Sequence, residues 1–209
     1  MFANRKEAGK ELAQKLEPYR GHDAVVYALP RGGVVLGYEV ANALHLPLDL
    51  TIARKIGHPQ NPEYAVCAVT EDGTLFCNET ERALLSAKWL SKASEREQKE
   101  AKRRRELYLA DRQHLLASGK TAIIVDDGIA TGLTIHAALE SLKKERPAKI
   151  VVAVPVAPQD AVRELKRIAN EVIVLVSPDQ FLGAVGAHYR NFPQVSDDEV
   201  IRILRGYTK

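Results

Sequence analysis

Apolar and polar positions follow two rhythms along this chain. Short apolar runs read as strands at Ala24–Leu29, Leu48–Ala53, Thr121–Val125, Ile150–Val156 and Val172–Val176. Between them the spacing changes to that of helices. Residues 4–18 form an amphipathic pattern, Val34 to about Leu44 a second, Gly132–Glu145 a third that Pro147 ends, and Gln159–Ala169 a fourth. Asp197–Arg205 is a further helix, with Ser196 as its N-cap. Ala65–Val69 and Thr74–Cys77 read as a hairpin turning at Glu71-Asp72-Gly73. Glu79 to about Ser118 is a long polar helical region with a break near Ser91. Strands alternating with helices predict an α/β fold, with a mostly parallel sheet flanked by helices on both faces.

Length and composition narrow the picture. A chain of 209 residues, 45% hydrophobic, suits one domain, 1–209, carrying a helical insert over 79–118 and a C-terminal segment over 177–209. No apolar run is long enough to span a membrane, and the charged segment Met1–Arg20 does not read as a signal peptide. Cys67 and Cys77 are read as buried, reduced thiols, without a disulfide or a metal site, in a cytoplasmic protein. A net charge of +3 does not point to nucleic acid, but it suits an anionic ligand. Lys88–Arg112 mixes Lys99, Lys102, Arg103, Arg104 and Arg105 with Glu95, Glu97, Glu100 and Glu106. Opposite charges at helical spacing describe a solvated helix or hairpin beside the sheet. Docking of a partner through Trp89, Leu90, Leu107, Tyr108 and Leu115 is the second reading of that insert.

The chemistry gathers after the strand ends, where open parallel sheets carry their sites. Ile123-Ile124-Val125-Asp126-Asp127-Gly128-Ile129-Ala130-Thr131-Gly132-Leu133-Thr134 runs from a buried strand through paired carboxylates into a small-residue turn and a helix start. The turn and helix N-terminus suit a phosphate, through unpaired N–H groups and the helix dipole. Ionised carboxylates beside a phosphate site suit hydroxyl groups, which donate hydrogen bonds to them. A sugar phosphate with a diol has both parts. The plainer alternative is that the acids only cap the following helix. Pro30-Arg31-Gly32-Gly33 ends the first strand and opens a helix. Its glycines let backbone N–H groups approach an oxyanion, and Arg31 adds a guanidinium. An ordinary strand-to-helix turn is the alternative there.

The aliphatic run, acid pair and Thr131-Gly132-Leu133-Thr134 are similar to the phosphoribosyl diphosphate signature of type I phosphoribosyltransferases. The resemblance extends from about Ala24 to Phe192 and matches members of unassigned substrate. It implies that fold, with a C-terminal hood, and transfer of ribose 5-phosphate from phosphoribosyl diphosphate to a nucleobase-like acceptor. It implies that Asp126 and Asp127 take the ribose diol. Gly128 and the loop Ala130, Thr131, Gly132, Leu133 and Thr134 hold the 5-phosphate. Arg31, Gly32 and Gly33 become the diphosphate loop, with a cis peptide expected at Pro30–Arg31. Polar Arg54–Tyr64 becomes a mobile loop closing over the diphosphate, with Arg54 and Lys55 as its charge donors, and His58 and Glu63 nearby. Arg31, Arg54, Lys55 and Asp127 are the catalytic candidates. Mg2+ is the implied cofactor, reaching Asp126 and Asp127 through water rather than by direct ligation. A homodimer is admitted.

The hood, Ser177 to Phe192, carries Phe181, Tyr189 and Phe192, any of which could stack on a planar base or merely pack onto the sheet. Phe181, the first after the strand, is the preferred stacking residue. One position departs from the 6-oxopurine enzymes, whose acid before Thr-Gly is here Ala130. That leaves the proton-transfer group unnamed and the acceptor open. It also keeps a second reading alive, a non-catalytic sensor of phosphoribosyl diphosphate or a nucleotide. A third is a phosphohydrolase or phosphorylase acting on a related sugar phosphate.

Overall fold

The computed structural model describes residues 1–110 and 112–207. In chain order its first elements are α1 (Arg5–Lys15), β1 (Ala24–Ala28), α2 (Gly32–Leu44), β2 (Leu48–Leu50), β3 (Ala53–His58), β4 (Asn61–Thr70) and β5 (Leu75–Cys77). Then come α3 (Glu79–Leu84), α4 (Ala87–Leu109), β6 (Thr121–Val125), α5 (Leu133–Lys143), β7 (Lys149–Val154), α6 (Gln159–Ile168), β8 (Glu171–Val174) and α7 (Asp197–Arg205). Five strands form a sheet in the order β2-β1-β6-β7-β8, every neighbouring pair parallel.

The period of two sorts the strand residues onto two faces. Val26, Ala28, Ile123, Val125, Val151 and Ala153 join α1, α2 and α7 in one core. Val25, Tyr27, Ala122, Ile124, Ile150 and Val152 join α5 and α6 in the other. A parallel sheet covered on both faces needs this near-continuous apolar strand sequence. The α/β expectation therefore holds, and its strand positions hold to within a few residues. Asn4 caps α1 by accepting from the Glu7 N–H at 3.0 Å, and Ser196 caps α7 in the same way from Glu199 at 3.2 Å.

Three expectations need correction. Arg54–Tyr64 is not an irregular loop; it forms most of an antiparallel hairpin, β3 paired with β4, in a second sheet ordered β3-β4-β5. Only Ile56 of β3 is buried, so no alternation of apolar residues announces the strand and its pairing comes from the backbone. Cys67 and Cys77 are not free thiols. The β4–β5 register sets them directly opposite each other, and they form a disulfide. Facing positions on adjacent antiparallel strands are close enough for that bond, whatever the composition suggests. The charged insert breaks at Leu85-Ser86 rather than near Ser91. Ala93, Glu97, Ala101, Tyr108 and Leu109 give α4 a buried face. No helix is long and apolar enough to cross a membrane among the described residues.

Candidate active site

Strand register decides where the site forms. Ala28 lies opposite Val125, and the Leu29 N–H donates to the Val125 carbonyl at 2.9 Å. The segments after β1 and β6 therefore leave the sheet side by side. From β1 the chain turns to β2 on one side, while β6, β7 and β8 lie on the other. This is the crevice in which open α/β sheets bind ligands. A cleft of about 610 Å³ occupies it.

Close packing fixes the cleft floor. A Cβ on Gly33 would lie 2.8 Å from the Val125 carbonyl oxygen and 3.0 Å from the Asp126 Cα. A Cβ on Gly32 would overlap the Asp127 carboxylate. The start of α2 can reach the acid pair only because both positions are glycine. The Pro30–Arg31 peptide is cis, as expected. Asp126 Oδ1 accepts from the Asp127 N–H at 2.8 Å. Burial pushes the Asp126 carboxyl well above the ordinary range, the neighbouring Asp127 charge adds to this, and Lys55 pulls against it. Burial also raises Asp127, but the Arg5 charge and hydrogen bond oppose it.

A helix start forms a wall next to the acid pair. Gly132, with φ of +78°, turns the chain into α5. The Leu133 and Thr134 amides stand in the first turn, where a helix supplies no acceptor. Ala130 and Thr131 are exposed at the cleft edge, and Thr134 lines it. The third wall is cationic. Arg31, Arg54 and Lys55 line the cleft. Arg54 is held by Glu97 of α4 at 2.7 Å, and Arg31 lies 3.4 Å from Asp197 at the start of α7. The arrangement can take an anion at the helix start, hydroxyl donors at the carboxylates, and a second anion along the cationic wall.

Most sequence-predicted residues meet here. Arg31, Gly32, Arg54, Lys55, Asp126, Asp127, Gly128, Ala130, Thr131, Gly132 and Thr134 all line the cleft. Gly33 lies behind it, as the spacer beneath Asp126. The Leu133 side chain packs away from it, against Ala68 and Ala137, so only its backbone can serve the loop. Phe181 is a correction, because it does not line the cleft. It stacks on His188 at 5.5 Å and packs on the core, directly after the turn Pro178–Gln180 that opens the hood. Val185 and Phe192 line the cleft instead. His58, which accepts from the Gln60 N–H at 3.2 Å, and exposed Glu63 sit near the hairpin tip, outside the lining.

Arg5 is the charged cleft residue that sequence reasoning missed. Its Nε donates to Asp127 Oδ2 at 2.7 Å and its Nη1 to the Pro193 carbonyl at 2.6 Å. Its guanidinium lies 3.7 Å from the centre of the Phe192 ring. The N-terminal segment brings it there by pairing with the hood, Phe2 N–H to His188 O and Arg190 N–H to Phe2 O, both 2.9 Å. Gly9, whose Cβ would lie 2.9 Å from the Leu36 Cα, lets α1 pack closely on α2. The one available sequence signal was electrostatic, since Arg5 and Lys6 are cations in the first turn of a helix, where the dipole disfavours them.

Comparison with known proteins agrees with this geometry. The profile described as phosphoribosyl transferase domain matches residues 3–190. A Mycobacterium tuberculosis (strain H37Rv) protein named "Putative phosphoribosyl transferase Rv0571c" is 41% identical over 206 residues, which are 98% of this chain and 46% of that protein. The chain thus spans about half the length of the curated relatives it matches. The crystal structure of TT1426 from Thermus thermophilus is similar over 100% of both chains, with 40% identity and a TM-score of 0.83. With the family profile covering most of the sequence and these relatives following nearly all of it, the chain belongs to the phosphoribosyl transferase domain family.

Proposed function

We propose that this chain transfers ribose 5-phosphate from phosphoribosyl diphosphate to a nitrogenous base and releases diphosphate. One observation carries the reading. A single cleft is lined by an acid pair, an open helix start and three cationic side chains. Those parts match the diol, 5-phosphate and diphosphate of that donor. Asp126 and Asp127 accept from the ribose hydroxyls. The Ala130–Thr134 backbone, with the hydroxyls of Thr131 and Thr134, holds the 5-phosphate. Arg31, Arg54 and Lys55 hold the diphosphate and stabilise the charge that grows on it as the bond to the sugar breaks. The β3–β4 hairpin carries Arg54 and Lys55 over the cleft, and together with the hood it limits water at a reactive sugar cation.

Mg2+ fits this donor set. Among the described residues no group of three His, Cys, Asp or Glu side chains could cage a metal. A cation that keeps its waters and binds mainly through substrate oxygens needs no such cage, and Asp126 and Asp127 would hold it through water. With the donor bound, the ion would add positive charge at the leaving diphosphate, alongside Arg31, Arg54 and Lys55.

A second reading, a non-catalytic sensor of the same ligand, draws on Ala130, which leaves no acid at that point of the loop. Release of diphosphate from the donor, measured with and without each of a panel of bases, separates the two. Base-dependent release supports transfer. Donor binding with no release for any base supports the sensor. Hydrolysis without a base would favour the phosphohydrolase reading.

A further inference from the structure

Arg5 lines the cleft, yet the reading above gives it no task. Its side chain is 10% exposed and held on two sides, by Asp127 and by the Pro193 carbonyl. Its Nη2 makes no hydrogen bond among the described residues. Phe192, against which the guanidinium lies, is itself stacked on Tyr189 at 4.7 Å, and the Tyr189 hydroxyl donates to the Asp127 carbonyl at 2.6 Å. Rings and guanidinium thus form one supported stack beside the acid pair. The rest of this end of the cleft, Gly183, Ala184 and Val185, carries no ionisable side chain.

We propose that Arg5 is the acceptor-selecting residue: its guanidinium is the platform on which the acceptor ring lies, and it selects a planar heterocycle whose ring nitrogen is already ionised at neutral pH. The assignment rests on the phosphoribosyltransferase reading and deepens it. A guanidinium offers a flat face to a planar ring, a full positive charge and a spare donor, which an aromatic platform does not. The charge favours an anionic ring. The chemistry agrees. A neutral ring N–H attacking the sugar must lose a proton, and Gly183, Ala184 and Val185 offer no side chain to take it. With an anionic ring, the C1′–O bond to diphosphate breaks and its electron pair leaves on the diphosphate. The ring nitrogen's pair then forms the C1′–N bond, the ring loses its negative charge, and no proton moves.

Calorimetry with ribose 5-phosphate, inosine 5′-monophosphate and xanthosine 5′-monophosphate tests this without turnover. The two nucleotides differ by one oxo group, which makes the xanthine ring anionic at neutral pH. Two variants accompany the parent, Arg5→Lys, which keeps a counter-charge for Asp127 but no flat face, and Arg5→Met. Melting curves check that both are folded. The parent is expected to bind xanthosine 5′-monophosphate at least about tenfold tighter than ribose 5-phosphate, and tighter than the inosine nucleotide. Arg5→Met should lose most of that tenfold preference over ribose 5-phosphate, and Arg5→Lys, which keeps the charge without the flat face, part of it. A parent that binds the nucleotides no better than ribose 5-phosphate overturns the proposal, as does a preference that survives in Arg5→Met. A parent that binds neither ribose 5-phosphate nor phosphoribosyl diphosphate removes the underlying reading instead.

Discussion

Two neighbouring glycines should fail in different ways when a single methyl group is added. At Gly33 the new Cβ meets backbone, the Val125 carbonyl oxygen at 2.8 Å and the Asp126 Cα at 3.0 Å. Neither can move without shifting β6 or the start of α2. Overpacking of that kind costs about 1–3 kcal/mol. For a chain of this size that lowers the melting temperature by roughly 2–12 °C. At Gly32 the Cβ meets side chains instead, the Asp127 carboxylate and, at 3.0 Å, the Arg5 Nε. The ion pair can be displaced while the backbone stays in place, and alanine is the better residue near a helix start by up to about 1 kcal/mol. Gly32→Ala should therefore melt within about 4 °C of the parent. Its donor affinity should still collapse. A charge-assisted hydrogen bond contributes about 1.5–3 kcal/mol, so a displaced Asp127 weakens phosphoribosyl diphosphate binding by roughly 10- to 150-fold. Thermal melting beside calorimetric titration gives both quantities. A Gly32→Ala protein that binds the donor as well as the parent would refute the assignment of Asp127, and a Gly33→Ala protein that melts like the parent would refute the close packing beneath Asp126.

Asp126→Asn should lose donor affinity by a similar factor yet be at least as stable as the parent at neutral pH. The raised carboxyl lets the native state hold a proton that the unfolded chain releases, so this group lowers stability as pH rises above the ordinary carboxylate range. The advantage of the amide should then grow with pH in urea titrations, and an amide variant less stable at pH 8 than at pH 5, relative to the parent, contradicts the assignment. Glu71 obeys the same sign. Burial pushes it up to about 7 against the pull of Arg105, so the parent loses stability between about pH 4.5 and 7. Glu71→Gln should flatten that slope, and an unchanged slope would mean that the carboxyl is solvated. The Cys67–Cys77 bond closes a hairpin with a sequence separation of 10, for which loop closure accounts for about 2–3 kcal/mol. Reductant should lower the melting temperature by roughly 4–12 °C, and thiol titration of the unreduced, denatured protein should find no free thiol. Two reactive thiols would show the bond absent.

What the sequence revealed depended on how local the governing physics was. The strands of the large sheet were legible because a parallel sheet buried on both faces requires unbroken apolar runs, as in Thr121–Val125. Asp126, Asp127 and the Thr131–Thr134 loop were legible because strand end, acids and helix start are contiguous. The β3 strand was hidden because its partner supplies its hydrogen bonds and most of its own side chains are only half-buried. The disulfide was hidden because pairing register, not spacing, brings the two sulfurs together. Phe181 was misread because distance from a strand end says nothing about the direction a hood takes. Arg5 lies 122 residues from Asp127, and tertiary contacts bring them together, the packing of α1 on α2 and the pairing of Phe2 with the hood.

We propose that the cleft between the ends of β1 and β6 is a phosphoribosyl diphosphate site. Its most direct test is calorimetric titration of the protein with that donor, with and without Mg2+, and with ribose 5-phosphate and AMP as comparators. Binding that requires Mg2+ and exceeds that of ribose 5-phosphate by at least about tenfold is the predicted result. No binding of the donor, with AMP bound in its place, would contradict the claim and mark the cleft as a nucleotide site.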